Sequence, residues 1–266
     1  MLFEASRAKA IEKLNNFIEN NLKNYSRDRN YDFGPDSRNN ISLLSPYISH
    51  RSLFEYDVVK NCLEKYKFDQ IEKFIQEIFW RVYWKGWLEL RPEVWTDFCE
   101  SYQSIEQSKF YSKAIEGNTG IRCFDEWVHE LKEYNYLHNH TRMWFASIWI
   151  FTLKLPWQLG AAFFMEHLYD GDPASNTLSW RWVAGIQTKG KHYLARSSNI
   201  SKFTNQRFQY TQLITDAEPI FEDKDFELKR FDYNNSEIKH ENLIIFDSNL
   251  NAQELSDLSE KYKTIY

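Results

Sequence analysis

Asp170-Gly171-Asp172-Pro173-Ala174-Ser175-Asn176, with Trp180 and Trp182 close behind, is the stretch that decides how the rest of the chain reads. It gathers two carboxylates and an amide around a glycine and a proline, where an apolar helical pattern from Gln158 to about Tyr169 runs out. Taken alone, an acid-Gly-acid run before a proline is a solvated turn that caps a helix. A tryptophan pair beside paired carboxylates is an unusual composition for a surface turn and points to a site that faces a ligand.

Upstream, helical spacing recurs. Ile11, Leu14, Ile18 and Leu22 make an amphipathic helix of residues 5–23. Tyr25 to Ser45 is rich in Asn, Arg, Asp, Ser, Gly and Pro and reads as a long functional loop, after which Pro46 opens a helix through Ile48 to Tyr66. Residues 70–90 are the most periodic: Phe74, Ile75, Ile78, Phe79 and Val82 form one apolar face, and Glu77, Trp80, Arg81 and Trp84 share another. A further helix, Arg122 to Glu133, leads into one over Tyr136 to Leu153 that Pro156 ends. No regularly spaced alternating strands and no repeat occur before residue 210, so the fold class is all-α.

With 266 residues, 42% of them hydrophobic, the chain can bury a substantial core, and 17% aromatic content leaves rings available for a planar ligand or for electron transfer. Cys62, Cys99 and Cys123 show no CxxC spacing, which argues against a disulfide framework, a four-cysteine zinc site and an iron–sulfur site. The histidines lack zinc-ligand spacing, and no metal is expected. GxGxxG, phosphate-loop and serine-elbow motifs are absent. Met143 to Leu153 is too short to span a bilayer and the first ten residues carry charge, so the expectation is a cytoplasmic protein with no membrane partner.

Charge divides the chain. From Thr211 onward there are 13 acidic against 6 basic residues, so a whole-chain charge of −5 leaves residues 1–210 net positive. We read 1–210 as one helical domain and 211–266 as an acidic extension, a linker with a docking strand over Asn242 to Asp247, a short helix from Ala252 to Tyr262, and a protein partner as its candidate ligand. Arg181 to Arg207 holds Arg181, Lys189, Lys191, Arg196, Lys202 and Arg207 without one acid, either a solvated loop or a rim for backbone phosphates.

The run from Phe164 to Asn176 followed by Trp180-Arg-Trp182 resembles the flavin-contacting signature of the photolyase/cryptochrome family. Tyr25-x-x-x-Arg29-Asn30, Ser42-x-Leu44-Ser45-Pro46-Tyr47, Glu77-Ile-Phe-Trp80-Arg81-x-Tyr83-Trp84, Asn118-Thr-Gly120 and His138-Asn139-His-Thr-Arg142-Met143 are similar to further family segments in the same order. The resemblance runs from about Tyr25 to Trp182. It implies the helical FAD-binding domain without the family's antenna-bearing α/β domain, hence FAD as cofactor and no antenna chromophore in this chain.

By that resemblance Tyr25, Ser42, Leu44 and Ser45 hold the FAD phosphates and ribityl chain, at a helix start whose dipole favours an anion. Arg142 and Asp170 form a charge pair across the ring system, Gly171 lines it, Asp172 accepts from its polar edge and Asn176 faces N5. Glu77, Arg81 and Asn139 border the cofactor as well. Trp180 and Trp157 match the proximal and middle members of an electron relay, and the distal position falls near Ser104, with Tyr102 and Tyr111 the nearest aromatics. The implied substrate is a pyrimidine dimer flipped out of DNA. Glu77 would hydrogen-bond its bases, Trp80 and Trp182 wall it, Asn139 and Met143 complete the pocket, and Arg29 and Arg81 take backbone phosphates.

Val183 to Tyr193 departs from the usual family continuation, and His50-Arg51-Ser52 lacks a glycine common there. Three functions are compatible with the resemblance: a light-dependent repair enzyme for cyclobutane dimers, a cryptochrome-like blue-light receptor, and an FAD-binding module completed by another chain.

Overall fold

The structure, a computed structural model, describes residues 3–230, 241–245 and 259–265. Ser6 caps α1 (Arg7–Asn20), which buries Ala10, Leu14, Phe17 and Ile18 and leaves Ile11 on its outer side. The supposed loop after it is ordered. One helical turn, α2 (Tyr25–Asp28), is followed by a segment in which the Asn40 amide donates to the carbonyls of Asp28 and Tyr31, while Asp32 and Arg38 pair inside the protein. The helix expected over residues 48–66 is broken in two, α3 (Ser45–Ser49) and α4 (Glu55–Lys65). Arg51 takes a left-handed conformation (φ 58°), and the amides of Ser52 and Leu53 fold back on the Tyr47 carbonyl.

The long helix α5 (Phe68–Glu89) changes neighbours midway. Its first half buries Ile71, Phe74, Ile75 and Ile78 against α1 and α4, and only Leu88 is buried in its second half. Phe79 and Val82, expected on the apolar face, are 49% and 45% exposed because α5 turns its other side to α11 there. Two helices not legible in the sequence follow, α6 (Glu93–Ser104) and α7 (Lys109–Glu116). Then come α8 (Arg122–Tyr134), α9 (Asn139–Ser147) with a π-helical turn over Ile148–Thr152, α10 (Trp157–His167), α11 (Pro173–Ala184) and α12 (Ser197–Phe203).

Among the described residues three apolar clusters result. One joins α1, α3, α4 and the first half of α5; the largest gathers α8 to α11 around Trp127, Trp144, Trp149 and Trp180; a small third, Leu88, Val94, Ala174 and Leu178, ties the end of α5 to α6 and α11. Residues 211–230 lie on the helical body: Leu213, Ile214 and Ala217 pack against the largest cluster, and the amides of Ile220 and Lys229 donate to the carbonyls of Ala184 and Leu90. The expected strand over Asn242 to Asp247 is shorter, a two-residue parallel pair of β1 (Asn242–Leu243) with β2 (Thr264–Ile265): Ile244 and Ile245 are not in a strand, and residues 246–247 lie outside the described residues. So does most of the helix expected over residues 252–262. Among the described residues no helix is long and apolar enough to cross a membrane.

Candidate functional site

The 170–176 run is a capped turn and also more than that. Gly171 N donates to the Leu168 carbonyl, Pro173 takes the first position of α11, and Asp172 Oδ1 accepts from Ser175 N at 2.8 Å. Yet Asp170 and Asp172 are only 3% and 8% exposed. Buried carboxylates need partners, and each finds a guanidinium on another helix. Arg142 Nη2 of α9 donates to Asp170 Oδ2 at 2.9 Å, and Arg81 Nη1 of α5 to Asp172 Oδ2 at 2.6 Å. Burial pushes the Asp170 carboxyl upward, but Arg142, Arg81 and the Ser45 hydroxyl outweigh it and hold the group below the usual carboxylate range. Beside them the Lys85 ammonium is lowered by burial, with Asp172 acting against the shift.

The Ser42–Ser45 loop is fastened to the same turn. Ser49 Oγ donates to the Asp170 carbonyl at 3.4 Å, and His50 Nε2 meets the Tyr169 carbonyl at 2.7 Å. Leu43 is left-handed (φ 54°) and Leu44 right-handed (φ −92°, ψ −11°). A left-handed residue followed by a right-handed one is the pattern of an anion-binding nest, although the Leu44 N–H here donates to Ser42 Oγ at 3.4 Å.

Across from it, Arg29 Nη1 donates to Glu77 Oε1 at 2.6 Å, and Tyr25 lies between Phe17 and Phe74 with its phenol against Arg29 and its pKa raised by burial. Trp80 is 48% exposed, stacks on Trp84 (centroids 5.6 Å apart) and touches Tyr83. Met143 is half-buried, Asn139 exposed, and half-buried Trp182 stacks on Tyr193 at 5.9 Å.

Asn176 is buried, and its Nδ2 donates to the Ala161 carbonyl of α10 at 2.8 Å. Trp180 packs edge-on to Phe145, Trp149 and Phe164. Trp157 is not among its ring neighbours; it stacks on Phe98 at 5.6 Å, and Arg181, the residue after Trp180, sits 5.8 Å from its ring centre. A separate polar cleft of about 580 Å³, lined by Asn21, Asn24, Phe33, Asn40 and Arg207, holds none of these residues.

Residues 74–215 match the family described as the FAD binding domain of DNA photolyase. The chain belongs to that family. The deoxyribodipyrimidine photo-lyase of Agrobacterium fabrum is 31% identical over 183 residues, covering 66% of this chain and 37% of the relative. That of Neurospora crassa is 28% identical over 200 residues, 72% of this chain and 32% of its own. The chain thus spans less than half the length of these curated relatives. A class III photolyase from Agrobacterium tumefaciens superposes with a TM-score of 0.64 at 28% identity, covering 76% of this chain and 44% of that one. A Synechocystis cryptochrome gives 0.68 at 22% identity over 77% and 44%, a likeness of fold.

Within this family fold the basic segment does not form an open rim throughout. Arg181 is turned inward to Glu222 at 2.8 Å, Arg207 reaches buried Asp32, and Lys189 pairs with Asp225. The acids that neutralise Arg181 and Lys189 come from the extension. Two residues of the site carry no motif in the sequence, Glu222 and Gly160, the latter a small residue hidden in an apolar helix whose only outward signal is its size.

Proposed function

We propose that this chain binds FAD and uses it under blue light to split cyclobutane pyrimidine dimers in DNA. The observation that carries the reading is the convergence of two buried carboxylate–guanidinium pairs, Asp170 with Arg142 and Asp172 with Arg81, on the helix that fixes Asn176. This donor set fits a flavin dinucleotide. The backbone of residues 43–44 and the Ser42 hydroxyl suit the diphosphate and ribityl chain, the Ser45 hydroxyl holds Asp170 and keeps only its lone pairs for the ribityl hydroxyls, Asp172 suits an N–H at the ring's polar edge, and Asn176 keeps its amide oxygen for N5. Reduced FAD supplies an electron under light and takes it back once the two carbon–carbon bonds between the pyrimidines have broken.

The chain's own residues then have binding work to do. Arg29 occupies Glu77 Oε1, which leaves Oε2 to accept from a pyrimidine N–H. Exposed Trp80 and half-buried Trp182 supply stacking walls for a flipped dimer, with Asn139 and Met143 beside them. Trp180 and Trp157 would serve light-driven reduction of the cofactor.

The test is direct. Purified protein should show bound flavin by absorbance, and with the flavin fully reduced it should reverse thymine dimers in oligonucleotides under blue light. Flavin binding without reversal ends the repair reading and leaves light sensing.

A further inference from the structure

The extension after Tyr210 brings one carboxylate to Trp157, and its role depends on Trp180 and Trp157 forming the relay proposed for flavin reduction. Glu222 Oε1 accepts from the indole Nε1 of Trp157 at 3.0 Å, while its Oε2 accepts from Arg181 Nη1 at 2.8 Å. Trp157 is only 4% exposed, so its N–H is given to Glu222 and not to bulk water. On the ring itself lies Phe98, stacked at 5.6 Å and 26°. Phenylalanine is much harder to oxidise than tryptophan, so Phe98 separates Trp157 from the next oxidisable rings, Trp95 and Tyr102, which contact Phe98 in turn.

We propose that Glu222 is the proton acceptor for Trp157 during light-driven flavin reduction. Photoexcited oxidised flavin is the oxidant. Trp180 gives up one electron toward it, and Trp157 refills Trp180. The N–H bond of the Trp157 radical cation then breaks, its electron pair staying on nitrogen and its proton passing to Glu222 Oε1. A neutral tryptophanyl radical and a carboxylic acid beside Arg181 result. A thiol from solution later returns a hydrogen atom to Trp157, becoming a thiyl radical, and Glu222 releases its proton to water.

Arg181 acts both ways here: its ion pair with Glu222 favours the carboxylate, while its charge beside the ring favours loss of the proton from Trp157. An indole radical cation is a far stronger acid than indole, and a carboxylate already sits on its N–H. Arg181, 5.8 Å from the ring centre, opposes positive charge there. Once the proton has moved, return of the electron from Trp180 is blocked until the proton comes back, so the charge separation lasts. Trp149, the tryptophan whose ring meets Trp180 edge-on, donates its N–H to the Pro156 carbonyl, which cannot take a proton.

The test is flash absorption spectroscopy on the flavin-loaded full chain with Glu222→Gln, which keeps an acceptor on the indole but no base. The native protein should convert the tryptophan cation signal into that of the neutral radical, more slowly in deuterated water. The variant should hold the cation until charge returns and form about tenfold less neutral radical. Resonance Raman of the indole N–H in the dark should find the hydrogen bond kept in Glu222→Gln and lost in Glu222→Ala, which separates base from structural support. An unchanged neutral-radical yield and isotope effect in Glu222→Gln overturns the proposal while leaving the relay intact. Unchanged flavin reduction in Trp157→Phe overturns the relay and the proposal with it.

Discussion

Asn176 is tied to Ala161: its amide nitrogen donates to that carbonyl at 2.8 Å across the α10–α11 contact, which fixes which end of the amide is left for the site. The bond also sets a stability prediction. Asn176→Asp removes the donor and adds a carboxylate facing the Ala161 carbonyl and close to Asp172, whereas Asn176→Ala only removes the donor, the carbonyl keeping its helical bond within α10. We expect a loss on the order of 1 kcal/mol for the alanine variant and more for the aspartate. Thermal unfolding at neutral pH checks the order, and equal melting temperatures would show that the added charge is accommodated.

His138 contributes to acid sensitivity, alongside the paired carboxylates Asp170 and Asp32. Its ring is buried and its Nδ1 accepts from His140 N at 3.1 Å at the start of α9, a role that requires the neutral form. Burial, with Arg38, His140 and Arg142 adding to it and Asp32 opposing, lowers its pKa from 6.5 to about 4. The folded protein therefore binds fewer protons than the unfolded chain in that window. The contribution is complete above pH 6.5 and is lost as pH falls toward 4, on the order of 3 kcal/mol in all. His138→Asn keeps a capping acceptor but cannot titrate, so its stability should vary less than the native protein's between pH 7.5 and 4.5 in denaturant titrations.

The site is legible in the sequence where its chemistry is local and illegible where it depends on packing. Asp170, Asp172 and Asn176 stand out because two acids and an amide around Gly171 and Pro173 suit few other purposes. The helix that follows the two acids, α11, has no such signal because its buried side includes the polar Asn176, Thr177 and Arg181, which interrupt any apolar stripe. Phe79 and Val82 mislead for the converse reason: the period of α5 is regular, but the helix changes neighbours after Ile78. Glu222 meets Trp157 across 65 residues of sequence, and in an acidic stretch nothing local distinguishes it from Glu218 or Asp223.

Gly160 is where α10 admits Trp180. A Cβ there would stand 2.3 Å from Trp180 Cη2, 2.6 Å from its Cζ3 and 3.0 Å from Trp149. Neither ring has room to yield, since both are fully buried. Gly160→Ala gains helix propensity but overpacks the core, for a net loss on the order of 1–3 kcal/mol. It should also displace Trp180 from its edge-on contacts. Thermal melts together with the tryptophan near-ultraviolet circular dichroism read both effects, and a melting temperature at or above the native value would mean that the helices can separate at little cost.

Glu77 and Arg29 pair at 2.6 Å with both side chains about a quarter exposed, so solvent screens the pair and Glu77→Ala should lower stability by only about 1 kcal/mol or less. Its effect on binding should be larger. With Oε1 held by Arg29, Glu77 presents Oε2 in one orientation, and removing it deletes the acceptor while leaving Arg29 as an unpaired cation beside Tyr25. Arg142, Asp170, Arg81 and Asp172 are untouched by the change, so the flavin complement should stay near the native level. Dimer reversal at limiting DNA should fall by about tenfold, the worth of one lost charge-assisted hydrogen bond. The two readouts separate the roles: flavin absorbance per protein measures the cofactor site, and repair per absorbed photon measures the substrate pocket. Loss of flavin in Glu77→Ala would place this carboxylate on the cofactor instead of the dimer.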